Sequence, residues 1–334
     1  MPPPSPPLPP HVRHLRVKHE ISNPSSLSSI LSSHLDVPRD FALELIAFGA
    51  VWYSSSEEVP LKKGCKCTRA RNDHHLVAHP HREIYVRVHC HPKRFPRALQ
   101  VNWKEHVLHE AASFLAIDKP WGVNVAPTVD NLHECVLGKV EDQVFSRTGS
   151  DHEQARITHR LDAGTSGVLV LARTKAFCAY FNALLAQGRV RKVYKVLTSR
   201  RVPRGIMTHY AQTEVRRKGR PAWTVMHDSE GEGRSKCQLR VLSCTKLADD
   251  TYYESTVELL TGRTHQIRAQ FSKENACLVG DRLYGEGEEE GRLPDRIGLQ
   301  ASSLTVVDEG SPYFPSSGIT FNAGLPWWRT EIEI

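Results

Sequence analysis

The stretch His159-Arg160-Leu161-Asp162-Ala163-Gly164-Thr165-Ser166-Gly167-Val168-Leu169-Val170-Leu171-Ala172 sets a polar cluster at the mouth of a wholly apolar run. Gly167 to Ala172 carries no charge and reads as a strand buried on both faces. An aspartate at such a mouth is, by default, a cap for the turn, with Thr165 and Ser166 as local hydrogen-bonders. Here an arginine stands two residues before it, and further basic and aromatic segments follow downstream. That company makes Asp162 a candidate for chemistry.

Outward from this stretch the pattern is strand-rich with interspersed helices. Upstream, Phe114 to Ile117 is a short apolar strand ending at Asp118-Lys119-Pro120. Downstream, Thr174 to Gln187 predicts a helix, with Thr174 as its cap and Gly188 as its stop. Lys192–Thr198, Gln238–Cys244 and Tyr252–Leu260 predict further strands, and Thr264–Phe271 a helix. The spans define an α+β domain over 99–334. Nearer the start, Leu27, Ile30, Leu31 and Leu35 recur at helical spacing behind Ser25 or Ser26. Phe41, Leu45, Ile46 and Phe48 repeat the pattern up to Gly49. Val51-Trp52-Tyr53 and Ile84 to Val88 read as two strands, giving a helix–helix–hairpin module over 25–95. The proline-rich opening, 1–24, is expected to be disordered.

Composition sets the outer bounds. The chain has 334 residues, 40% hydrophobic and 24% charged, which fits a globular protein. The apolar segment Phe41 to Tyr53 is interrupted by Glu44 and falls short of the roughly 20 residues of a bilayer span, so no membrane association is expected. A net charge of +7 and a pI near 9.0 favour a polyanionic partner. The eight cysteines show no disulfide framework and suit a reducing compartment, which stays unassigned among cytoplasm, nucleus and organelle. Cys65, Cys67, His74, His75, His79, His81, His89, Cys90 and His91 invite a zinc reading. Their spacing is wrong for a finger, and the stretch reads better as a cationic loop.

The motif at 159–167, His-Arg-Leu-Asp-x-x-Thr-Ser-Gly, resembles the signature of the RluA/RluD class of pseudouridine synthases. Four more segments resemble that class, in its order: Lys119-Pro120-x-Gly122, Lys192-Val193-Tyr194, Gly262-Arg263-Thr264-His265-Gln266-Ile267-Arg268 and Gly280-Asp281-x-x-Tyr284-Gly285. Gly164 departs from the acidic residue common at its position, and Gln300 stands where histidine is frequent. The resemblance implies a catalytic domain over 99–334, built on a mixed, mainly antiparallel sheet with flanking helices. It also implies that the module over 25–95 is similar to a small RNA-binding domain of ribosomal-protein type, with Ser54 in place of a usual Asn.

By that resemblance Asp162 is the nucleophile, Arg268 its ion-pair partner and Tyr194 the ring that stacks on the base. Arg160 helps flip the nucleotide, and Ile267 and Lys119 belong to substrate binding. A carboxylate can hold a sugar or base fragment as a covalent adduct. Burial disfavours its charge, and a neighbouring cation opposes that. No cofactor or metal is expected, the partner is RNA and not DNA, and the chain is expected to act as a monomer. Two other classes fit less well: a non-catalytic RNA-binding protein, against which Asp162, Tyr194 and Arg268 stand intact, and a carboxylate-dependent glycosidase, for which the sequence shows no evident second acid near Asp162.

Overall fold

The structure, a computed structural model, describes residues 11–18, 26–54, 67–73, 83–145, 154–214, 223–248, 251–285 and 296–331. Contacts divide the chain into one unit of Met1–Leu99 with Ala126–Gly138 and a second of Gln100–Val125 with Lys139–Ile334.

In the first unit, strand β1 (Val12–Lys18) is followed by helices α1 (Leu27–Leu35) and α2 (Arg39–Ala47), then β2 (Val51–Ser54), β3 (Thr68–Arg69) and β4 (Glu83–His89). Ser26 caps α1 by accepting the Ser29 amide at 3.3 Å. Leu27, Ile30, Leu31 and Leu35 of α1 and Ala42, Leu45 and Ile46 of α2 bury the faces their spacing predicts, against Val17, Val51, Val86 and Val88. The antiparallel sheet runs β1-β4-β2-β3.

Two boundaries differ from the sequence reading. Val12–Lys18 lies inside the segment expected to be disordered, yet pairs residue for residue with β4, from Val12 opposite His89 to Lys18 opposite Glu83. Its partner is remote in sequence, so no local pattern announces the pairing. Residues 126–138, assigned by position to the second domain, pack in the first unit. There Glu134 accepts Arg94 Nε at 2.8 Å and the Phe95 amide, and Asp130 accepts the Lys93 amide at 2.8 Å. Of the Cys/His stretch, His89 and Cys90 are buried and so are not part of a surface loop. Cys65 and His74 to His81 lie outside the described residues, as do the proline-rich first ten residues and the basic run 216–218.

Short helix α3 (Arg97–Gln100) leads into the second unit. Its elements are β5 (Val107–Glu110), β6 (Phe114–Lys119), α4 (Val136–Gln143, entering from the first unit), β7 (Arg156–Ile157), β8 (Ser166–Ala172), α5 (Lys175–Ala186) and β9 (Val190–Thr198). Then come β10 (Gly205–Glu214), β11 (Trp223–His227), β12 (Ser235–Lys246), β13 (Tyr253–Leu259), α6 (Gln266–Lys273), β14 (Leu299–Val306), β15 (Ile319–Asn322) and α7 (Trp328–Glu331). Among the described residues the sheet runs β11-β10-β12-β13-β9-β14-β8-β6-β5, with β15 on β14 and β7 on β8. Only β14 with β8 is parallel; the other pairings are antiparallel, so the sheet is mixed and mainly antiparallel, with helices flanking it. Helix α5 buries Phe177, Phe181 and Leu184 against Phe114, Val168, Val170 and Leu304.

The parallel contact lies at the mouth of β8, beside Asp162. Gly167 there has φ +110°, and a Cβ on it would stand 2.2 Å from the Ala301 carbonyl oxygen. Only glycine lets the two strands approach so closely.

Candidate active site

Two backbone hydrogen bonds and one buried lysine fix the loop carrying Asp162. The Thr165 amide donates to the Asp162 carbonyl at 3.1 Å, and the Gly122 amide to the Ala163 carbonyl at 2.6 Å. Lys119, at the end of β6, donates from Nζ to the carbonyls of Pro120 (2.8 Å), Val123 (2.9 Å) and Ala163 (3.3 Å). Its side chain is fully buried. The three carbonyls match the three protons of an ammonium group, so no donor is left for a ligand. Burial draws its pKa down to about 7, against the opposing pull of Asp162 and Asp118. Lys119 was expected to bind substrate; the structure makes it an internal tie of the Asp162 loop, because its stem runs inward from a buried strand. His159 also turns inward. Its Nε2 accepts the Val170 amide at 3.2 Å, and burial, helped by Lys192, pushes its pKa down to about 3, so the ring is neutral.

Helix α6 brings Arg268 to this loop. Arg268 Nη1 donates to Asp162 Oδ2 at 3.1 Å, while Nε and Nη2 donate to Asp281 Oδ2 at 2.7 Å and Oδ1 at 2.8 Å. The side chains of Arg268 and Asp281 are 8% and 0% exposed, that of Asp162 27%. One carboxylate is thus spent on holding the guanidinium, and the other keeps a face open to solvent. Burial by itself would lower the Arg268 pKa; the bonds to Asp281 and Asp162 outweigh it and raise it. Asp281 Oδ1 also accepts the amides of Leu283 and Tyr284, at 3.0 and 3.3 Å, which ties the following loop to the same group. Sequence reasoning gave Asp281 no role, although its motif was in view.

His265 and Tyr284 join the cluster, and neither was foreseen. His265 sits just before α6 in the left-handed backbone region, φ 54°. Its Nε2 lies 3.8 Å from Asp162 Oδ1 and its Nδ1 3.1 Å from the Tyr284 hydroxyl, which in turn accepts the Thr224 amide at 2.8 Å. The Arg268 guanidinium lies over the Tyr284 ring, 5.2 Å from its centre.

Tyr194, on β9 between Val257 of β13 and Ala301 of β14, is 6% exposed. Burial first, and the Asp162 charge second, raise its pKa, so the phenol stays protonated. Ile267 is buried at 4% exposure, and Arg160 is exposed two residues before Asp162. A cavity of about 570 Å³, lined in part by Trp223, Met226 and Lys273, shares Tyr284 with the cluster but does not include Asp162 in its wall. The chemistry belongs at the carboxylate, where the charged groups converge. With Oδ2 held by Arg268 and Oδ1 facing His265, Asp162 can act as a nucleophile or accept a proton.

The profile described as RNA pseudouridylate synthase matches residues 113–273. RNA pseudouridine synthase 6, chloroplastic, of Arabidopsis thaliana is 30% identical, over 98% of this chain and 83% of that one. The protein of the same description from Oryza sativa subsp. japonica is 27% identical, over 95% and 80%. Among solved structures, human RNA pseudouridylate synthase domain containing 1 superposes with a TM-score of 0.52 at 24% identity, covering 67% of this chain and 84% of that one, a likeness of fold. The chain belongs to the RNA pseudouridylate synthase family, a family of isomerases.

Proposed function

We propose that this chain converts uridine to pseudouridine in RNA with Asp162 as the nucleophile. The observation that carries the reading is the Asp162–Arg268–Asp281 arrangement: a carboxylate with one oxygen held by a buried arginine and a face left to solvent. Asp162 attacks the flipped nucleotide and holds it as a covalent adduct while the bond between the ribose and N1 of uracil breaks. The uracil turns, its carbon five bonds to the ribose, the bond to Asp162 breaks and restores the carboxylate, the proton on carbon five leaves and N1 gains one. Atoms balance without a redox partner. Tyr194 supplies a flat face for the ring, and its protonated phenol can share a proton but stores no charge. Ile267 adds an apolar neighbour. Flipping a base from its stack costs a few kcal/mol, and Arg160, exposed beside the nucleophile, takes the vacated space.

The first unit is assigned to RNA binding, in line with its resemblance to a ribosomal-protein-type domain, and the chain works as a monomer. A glycosidase would need a second carboxyl group as acid. Asp281, which shares Arg268 with Asp162, has both oxygens ion-paired and is fully buried, so it does not fill that role.

Asp162→Ala is expected to abolish tritium release from RNA labelled at carbon five of uridine, with RNA affinity within about threefold of wild type, since surface electrostatics dominate it. Release from the variant at the wild-type rate would remove Asp162 from the chemistry.

A further inference from the structure

We infer that His265 is a positioning residue for Asp162: a neutral imidazole whose Nδ1 accepts a proton from Tyr284 and whose Nε2–H is thereby aimed at Asp162 Oδ1. This deepens the proposed function and rests on Asp162 being the reacting group.

The argument follows the protons. The Thr224 amide can only donate, and it donates into the Tyr284 oxygen at 2.8 Å. The hydroxyl proton of Tyr284 then needs an acceptor, and His265 Nδ1 lies 3.1 Å away. If Nδ1 accepts, the single proton of the neutral ring sits on Nε2. Nε2 is 3.8 Å from Asp162 Oδ1, a small side-chain rotation from a hydrogen bond. Burial lowers the His265 pKa, with Arg268 acting in the same direction and Asp162 and Asp281 opposing, which agrees with a neutral ring. The two carboxylate oxygens are then distinguished: Oδ2 belongs to Arg268 and Oδ1 to His265. Fixing both oxygens fixes the direction in which the carboxylate presents its lone pairs. Misorientation of a reacting group by about an ångström can reduce a rate on the order of a hundredfold.

The backbone gives the proposal a sharp test. His265 holds a left-handed conformation that asparagine tolerates and glutamine does not favour. Asparagine can place a polar group near the Nδ1 position; glutamine can place an N–H near the Nε2 position. A purely structural role predicts that His265→Asn is the milder change. The proposal predicts the reverse: His265→Asn lowers kcat about 10- to 100-fold with KM nearly constant, and His265→Gln recovers most of that loss. Tyr284→Phe, which releases the tautomer, lowers kcat about tenfold in the wild-type chain and leaves His265→Gln unaltered.

The assay is tritium release by the full chain, at saturating and limiting concentrations of total RNA labelled at carbon five of uridine, taken from cells lacking the protein. Thermal midpoints of each variant are recorded alongside. His265→Asn within twofold of wild type, or His265→Gln as impaired as His265→Asn, overturns the proposal. Asp162→Ala is run in the same series. If it stays active, the nucleophile assignment fails; if it is inactive while His265→Asn is not, only the role of His265 fails.

Discussion

At the scale of single residues, the site depends on one arginine serving two acids. Arg268 is nearly buried, and Asp281 compensates its charge with both oxygens, which leaves Asp162 the weaker and more exposed claim on it. Removing one member of such a pair leaves the other charge unpaired in the interior. Asp281→Asn is therefore expected to destabilise the fold by roughly 3–5 kcal/mol, read from denaturant unfolding, and to lower activity through Arg268. Combined with Arg268→Met, its effect should be far smaller than the sum of the separate losses, because the two residues share one interaction. Additive losses would mean that Asp281 acts elsewhere.

At the scale of elements, α7 is fastened to the strand beside β9 by one acid. Glu254 on β13 accepts Trp328 Nε1 at 2.8 Å and Arg329 Nε at 2.9 Å from α7, and Lys195 Nζ at 3.0 Å from β9, one residue from Tyr194. Burial would raise its pKa, but the bonds from Arg329, Trp328 and Lys195 outweigh it and hold it at about 2. A carboxyl whose folded pKa lies below its unfolded value adds stability above the unfolded value, near 4.5, and loses it as pH falls through about 2. The side chain is 6% exposed, and the shift corresponds to about 3 kcal/mol. Unfolding free energy followed from pH 5 to pH 2 should fall more steeply in the wild type than in Glu254→Gln, with parallel curves counting against this account.

At the scale of the whole molecule, the sequence order and the spatial units do not coincide. Residues 126–138 leave the second unit to join the first, where Asn131 bonds the Lys93 carbonyl and Glu134, and Glu134 takes Arg94. Deleting 1–99 removes Lys93, Arg94 and Phe95, so the buried Asn131 amide and Glu134 carboxylate keep their bond to each other but lose those to these residues, the guanidinium among them. Such partly orphaned groups carry a desolvation penalty of about 1–3 kcal/mol each, more for the charge. The truncated chain is expected to show a lower thermal midpoint than Asp162→Ala in the full chain, and to lose RNA affinity. A truncated protein as stable as the intact one would show that the segment needs no partner from the first unit.

The class of fold, the two helices of the first unit and the strand behind Asp162 were readable in the sequence, because they rest on short-range periodicity: Leu27, Ile30, Leu31 and Leu35 on one helix face, Gly167 to Ala172 in one buried strand. Arg268 was legible only through the resemblance of its motif. Strands β1, β10 and β14 were not legible, since polar residues interrupt their apolar pattern, and β1 and β14 also pair with strands far along the chain. Nor did the sequence mark Lys119 as buried, or Asp281, His265 and Tyr284 as neighbours of Asp162. The chain alone thus determined which segments could be helix or strand and which residue types were present for chemistry. Tertiary structure decided which charges meet and which are compensated, because an ion pair or a shared proton is set by distances of a few ångströms between groups that lie more than a hundred residues apart, as Asp162 and Arg268 do.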